Sequence, residues 1–171
     1  CSEIILRNKQ FCNLTEVVVR ENDTLETLRT KVKLATILGT FQATLTNFRY
    51  LSRSWHNNTK EEALLGVSFT GILDNKKMAN GSIKLDQLKR VAVEENKKWA
   101  NKLGISPAAA ITCVKPSGTV SQLVDSASGI HTRHSPYYLR TIRADKKDPL
   151  AQLMVDQGVY HEDDTTKPDH T

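Results

Sequence analysis

Two places in the sequence hold residue types that could do chemistry. Cys1-Ser2-Glu3 sets a carboxylate two residues from a thiol, and Cys12 adds a second thiol eleven residues after the first. A carboxylate so placed can accept a proton from a hydroxyl, and two thiols brought together by a loop form a two-electron reductant. The same spacing also fits buried structural cysteines, the ordinary state of a free thiol. The second place is Lys115-Pro116-Ser117-Gly118-Thr119-Val120-Ser121. Small hydroxylated residues and a glycine at a helix start present free N–H groups and the positive dipole end to an anion, which suits phosphate. An ordinary helix cap explains those residues as well.

Alternating elements must position these groups. A short strand is expected at Val17 to Val19, and Asp23-Thr24-Leu25-Glu26 supplies an N-cap with a reciprocal acid three residues on. Leu25, Leu28, Val32, Ala35, Leu38, Phe41, Leu45 and Phe48 then recur at spacings of three and four, predicting one long helix with a single buried stripe. Leu64 to Leu73 reads as a buried strand interrupted by Gly66 and Gly71 and ending at Asp74-Asn75. Leu85, Leu88, Ala92, Trp99 and Leu103 mark a further helix, with Gly104 placed to close it. Ala108 to Val114 reads as the next buried strand, after which Pro116 to Thr119 turns into a helix over 120–124. Tyr137 to Ile142 reads as a strand, and Asp148-Pro149 opens a helix through Val155. Strand and helix in alternation argue for an α/β fold with parallel strands, as a barrel or an open sheet. No internal repeat or low-complexity segment interrupts the pattern.

Composition narrows the function classes. The 171 residues are 39% apolar and 25% charged, as in an ordinary globular domain, and no apolar run approaches the roughly 20 residues of a spanning helix. The net charge is +5, but it is dispersed. Lys76 to Lys102 holds eight basic and three acidic residues, and the stretch from Asp156 onward five acidic and one basic. A solvated helix face followed by an acidic segment describes this better than a nucleic-acid surface. Three cysteines without a secretory h-region point to a reducing, cytoplasmic setting. Cys113 reads as core, and Trp55, Trp99, Tyr137 and Tyr138 as packing residues. Arg49, Arg53, Arg140 and Arg143 suit either the surface or phosphate. His131 and His134 with Cys113 lack a Cys-x-x-Cys partner, so no metal site is expected.

In combination, the motifs resemble ribonucleotide reductase of the class II, adenosylcobalamin-dependent branch, from Cys1 to about Gly158. Cys1-Ser2-Glu3-Ile4 matches the end of the family's Asn-Pro-Cys-x-Glu-Ile motif, without the Asn and Pro. Phe11-Cys12-Asn13-Leu14-Thr15-Glu16, Leu64 to Gly71, Pro116 to Ser121, Ser126 to His131 and His134 to Tyr138 follow in the family's order. Thr132 stands where many relatives would have proline. The resemblance implies the second half of a ten-stranded α/β barrel with Cys1 at the tip of a central finger loop. Residues 1–158 would be part of the catalytic barrel, and 159–171 an acidic truncated segment of the same larger chain.

The resemblance also implies roles. Cys1 would become the thiyl radical that abstracts the ribose 3′ hydrogen, generated with adenosylcobalamin. Glu3 would take the 3′-hydroxyl proton. Cys12 and a cysteine from a missing N-terminal half would reduce the substrate and end as a disulfide, restored by a thioredoxin-type reductant. Pro116, Ser117, Gly118, Thr119 and Ser121 would hold the phosphates of a ribonucleoside di- or triphosphate. Alone, the chain is expected to be inactive. Its start at Cys1 is what trimming leaves, and also what an intein leaves, because the residue after an intein must be a nucleophile. A class I large subunit shares the loop but typically has Pro-Thr-Ala-Ser-Thr-Ser where this chain has Pro-Ser-Gly-Thr-Val-Ser. A non-catalytic nucleotide-binding module would keep the phosphate loop and use its thiols structurally.

Overall fold

A computed structural model describes residues 3–115 and 117–171. Strand β1 (Asn13–Val18) is followed by helices α1 (Leu25–Gln42) and α2 (Arg53–Glu62), and then by β2 (Leu65–Thr70). A single 3-10 turn (Ile72–Asp74), α3 (Lys76–Ala79), α4 (Leu85–Leu103), α5 (Val120–Leu123) and α6 (Pro149–Asp156) complete the described elements. β1 and β2 pair in parallel, with Asn13 opposite Leu65 and Val18 opposite Thr70. The expected parallel α/β organisation is present, with two helices in the crossover where the sequence suggested one.

The difference lies at the end of α1. Its stripe is Leu28, Val32, Ala35, Thr36, Gly39 and Thr40, whereas Leu38, Phe41 and Leu45 are exposed. The buried threonines donate their hydroxyls to the carbonyls of Val32 and Thr36, so their polar atoms are satisfied within the helix. Past Gln42 the chain turns, with the Thr44 hydroxyl donating to the Phe41 carbonyl. Phe48 leaves the helical course to pack edge-on against Phe11. The cap also moves by one residue. Thr24, rather than Asp23, caps α1, in a reciprocal box with Thr27. Asp23 is 7% exposed and is bound by Lys31 Nζ at 2.6 Å, the Arg20 N–H and the Thr27 hydroxyl.

Burial alone would raise the pKa of Asp23, but the Lys31 ammonium and the two further donors hold it below the ordinary carboxylate value. A depressed folded-state pKa adds stability that is present above the unfolded value of about 4 and is lost as pH falls through the folded value. Asp23→Asn should therefore cost about 1–2 kcal/mol at neutral pH and flatten the acid limb, as read by thermal unfolding at a series of pH values.

The core joins Val17, Val19 and Val67 of the sheet region to Leu28, Val32 and Ala35 of α1 and Leu88 and Ala92 of α4. α4 keeps its expected bounds, and Gly104 closes it in the left-handed conformation. Its inner stripe includes Asn96 and Ala100, while Leu85 is exposed. Asn96 donates to the Thr40 hydroxyl and accepts the Ala108 N–H, which fixes α4 to α1 and to the segment that follows.

Three further expectations are corrected. Residues 108–114 do not form a buried strand. They follow the edge of β2 through one bridge, Val67 to Thr112, with Thr112 and Val114 exposed because that edge has no further neighbour among the described residues. Tyr137 to Ile142 is not a strand; strand propensity needs a pairing partner, and none is present among the described residues. β1 begins at Asn13, four residues before the apolar trio that suggested it.

Residues 1–133 and 134–171 form two compact units. The second contains α6, capped by Asp148 with Pro149 in its first turn as expected, and an antiparallel bridge from Asp145 to His170. Among the described residues no helix is long and apolar enough to cross a membrane.

Candidate functional site

Side chains alternate between the faces of a strand, and residues paired in parallel register share a face. Val17 and Val67 belong to the core under α1 and α4. Leu14 and Glu16 of β1 and Gly66 and Ser68 of β2 therefore share the opposite face, and Cys12 comes just before the strand at the same phase. The edge segment adds two groups there. Cys113 Sγ lies over Gly66, 3.1 Å from the position a β-carbon would take. The Lys115 N–H donates to the Ser68 hydroxyl at 3.0 Å. One side of the sheet is thus apolar core, and the other carries thiols, acids and a lysine.

Gly66 is what lets the groups on this face come close. A β-carbon at that position would collide with Leu14 Cδ2 and stand 2.7 Å from Ile4 Cδ1. The absent side chain leaves room for the Glu3-Ile4 segment to lie down on the sheet. Glu3 Oε2 is buried there without a hydrogen-bond partner among the described residues.

The approach to Cys12 is strapped to α2, a helix without an apolar stripe. Arg7 pairs with Glu61 and Glu62, and Gln10 Nε2 donates to the Asn58 carbonyl and to Glu62. The Phe11 N–H donates to the buried Thr59 hydroxyl, and Trp55 stacks on Phe11 at 4.6 Å. Cys12 is half-buried and borders a cavity of about 700 Å³ lined also by Phe48, Arg49 and Tyr50.

Electrostatics keeps both described thiols protonated. Burial, then the Glu3 charge, raises the Cys12 pKa. Burial, Glu3 and Cys12 push Cys113 up to about 11, against the opposing pull of Lys115. A neutral thiol delivers hydrogen and electrons, and is a poor nucleophile. Burial also raises Glu16, with Lys115 opposing it. Cys113, expected to be core, is a half-buried neighbour of this cluster.

The loop that the sequence suggested for an anion lies beyond Lys115. Gly118 has φ +53, a left-handed turn with open space around it, and Thr119 is exposed at the start of α5. The N–H groups of Gly118 and Thr119 have no partner among the described residues. Ser117 and Ser121 are buried. The Ser117 hydroxyl is 2.7 Å from that of Ser128, while the Ser121 hydroxyl has no partner among the described residues. The loop therefore offers backbone donors at 118–119, with Ser117 tied inward. Behind it, Asp74 accepts from the Ala127 N–H and from Arg133, and Arg133 also grips Asp125. Thr70 accepts the Gly129 N–H. This clamp, which the sequence reading missed, joins the end of β2 to the segment that holds Ser117.

Cys1 and Pro116, both named as site residues, lie outside the described residues. Among the described residues no three metal-ligating side chains gather.

No family model matches the chain. An adenosylcobalamin-dependent ribonucleoside-triphosphate reductase of Lactobacillus acidophilus is 29% identical over an alignment that takes in 99% of this chain and 26% of that protein. The Euglena gracilis protein of the same name is 25% identical, over 100% of this chain and 24% of its own length. A crystal structure of a B12-dependent (class II) ribonucleotide reductase matches with a TM-score of 0.70 at 24% identity, covering 99% of this chain and 27% of that one. The chain thus has the fold of one segment of that protein and spans about a quarter of the length of these relatives.

Proposed function

We propose, from the premise that this chain is homologous along nearly its whole length to the adenosylcobalamin-dependent ribonucleoside-triphosphate reductases, that it forms the reducing face and phosphate loop of such an enzyme. The observation that carries the reading is the polar face of the sheet, where Glu3, Cys12 and Cys113 lie at one end and the N–H groups of Gly118 and Thr119, without a partner among the described residues, follow Lys115 at the other. A ribonucleotide needs that arrangement: thiols at the sugar and backbone donors at the phosphates. The strands would belong to a ten-stranded barrel, with 1–158 in the catalytic body and 159–171 an acidic continuation. The rest of that barrel would supply the second cysteine, and a thioredoxin-type protein in the cytoplasm would restore the dithiol.

The reaction balances as a reduction. One ribonucleotide and two thiols give one deoxyribonucleotide, one disulfide and water. Adenosylcobalamin, when bound, supplies the radical that is passed to a cysteine thiol, here Cys1. The neutral thiols and the Glu3 Oε2, which has no hydrogen-bond partner among the described residues, suit such a cofactor's chemistry; no corrin contact is assigned to the described residues. Glu3 accepts the 3′-hydroxyl proton while Cys12 yields hydrogen and an electron, and the surrounding sheet excludes water. A class I enzyme is less well supported, since the relatives carry the adenosylcobalamin-dependent name.

The test is deoxynucleotide formation by the reductase that carries this chain, supplied with a ribonucleoside triphosphate, adenosylcobalamin and a dithiol. Product that depends on all three is expected. A pure, folded enzyme giving none under anaerobic conditions would overturn the reading.

A further inference from the structure

Glu16 and Lys115 are left unexplained by the roles above. Glu16 sits opposite Ser68 on the polar face, and Lys115 reaches the same Ser68 from the edge segment. The Glu16 side chain is 7% exposed, and neither of its carboxylate oxygens has a hydrogen-bond partner among the described residues. The Lys115 side chain is 24% exposed, with Nζ 3.8 Å from Glu16 Oε2. A well-made charged hydrogen bond would be about 2.7–2.9 Å. A carboxylate taken out of water and a partly exposed ammonium are held beyond hydrogen-bond distance of each other, although a buried charge repays its desolvation only when its hydrogen-bonding capacity is met.

Each member therefore has an unmet need, and the two needs differ. The ammonium has no acceptor within hydrogen-bond distance among the described residues, and Lys115 leads straight into the loop whose Gly118 and Thr119 N–H groups have no partner among the described residues. The carboxylate lacks a donor, and it lies on the same face as Cys12 and Cys113. A ligand that meets both carries an anion and a hydroxyl a few bonds apart, as a sugar phosphate does.

We propose that Glu16 and Lys115 position the sugar-phosphate part of the nucleotide, Lys115 pairing with a phosphate oxygen and Glu16 accepting a hydrogen bond from a sugar hydroxyl. The inference rests on the reductase reading and extends it to two residues that touch the ligand without entering the chemistry.

The test is isothermal titration of the reductase that carries this chain, wild type and variants, with a ribonucleoside triphosphate and with inorganic tripolyphosphate, which has the anion and no sugar. Lys115→Met should weaken both ligands by about 10- to 100-fold, the loss of one charge-assisted contact. Lys115→Arg should retain most of the affinity. Glu16→Gln should weaken the nucleotide by about 5- to 10-fold and leave tripolyphosphate within about twofold. Unchanged nucleotide binding in folded Lys115→Met, or equal loss of both ligands in Glu16→Gln, would overturn the pairing while leaving the reductase reading intact. A wild type that binds neither ligand would overturn both.

Discussion

Cys12→Ser is expected to separate the two halves of the reaction. In the reductase proposed to carry this chain, release of tritium from 3′-labelled substrate should persist, because the proposal gives hydrogen abstraction to Cys1. Deoxynucleotide formation should fall by at least roughly 10³-fold, the scale seen when a member of an obligatory chemical unit is removed. The physical reason is the electron count: one thiol cannot deliver the two electrons that Cys12 and a second cysteine would supply together in the proposed reaction. Cys1→Ser should abolish both signals, since an O–H bond is too strong for a serine oxygen to be made the radical. Glu3→Gln should slow both without removing either, because the amide keeps the shape but cannot take up the hydroxyl proton. Equal loss of both signals in all three variants would contradict this division.

Gly66→Ala should have the largest effect of any single methyl on the polar face. The added β-carbon would meet Leu14, Ile4 and Cys113 together. Leu14 is fixed by strand pairing and Cys113 by its N–H bond to the Val67 carbonyl. Overpacking of this kind costs about 1–3 kcal/mol. Glu3 and Ile4 belong to no helix or strand, so the added methyl should displace Glu3 from the sheet. Activity should therefore fall much further than the melting temperature implies. Thermal unfolding measured beside turnover checks this, and a variant with wild-type turnover would show that Gly66 does not set the position of Glu3.

What could be read from residues alone divides along physical lines. α4 and α6 were legible because local signals decide them: Gly104 past the last apolar position, and Asp148-Pro149 at a helix start. α2 was not, because its ten residues have no apolar stripe and its attachments are polar ones to residues 7–11. The outer part of α1 misled because Leu38 and Phe41 have helical spacing but lie on its exposed side, while Thr36 and Thr40 are buried. In the site, Cys12 and the loop at 117–119 could be found from motif order. Glu16 could have been found from period two alone, since Cys12, Leu14 and Glu16 alternate onto one face. Cys113 and the Asp74-Arg133 clamp depend on contacts across 47 or more residues and left no local trace.

The most direct measurement of the central claim is a single turnover without external reductant, followed by alkylation of free thiols and peptide mapping. The account predicts about one equivalent of deoxynucleotide per active site and loss of Cys12 from the alkylated fraction, while Cys113 stays alkylatable after denaturation. Product formed with Cys12 still fully alkylatable, or with Cys113 protected in its place, would contradict the assignment of Cys12 as the reducing thiol.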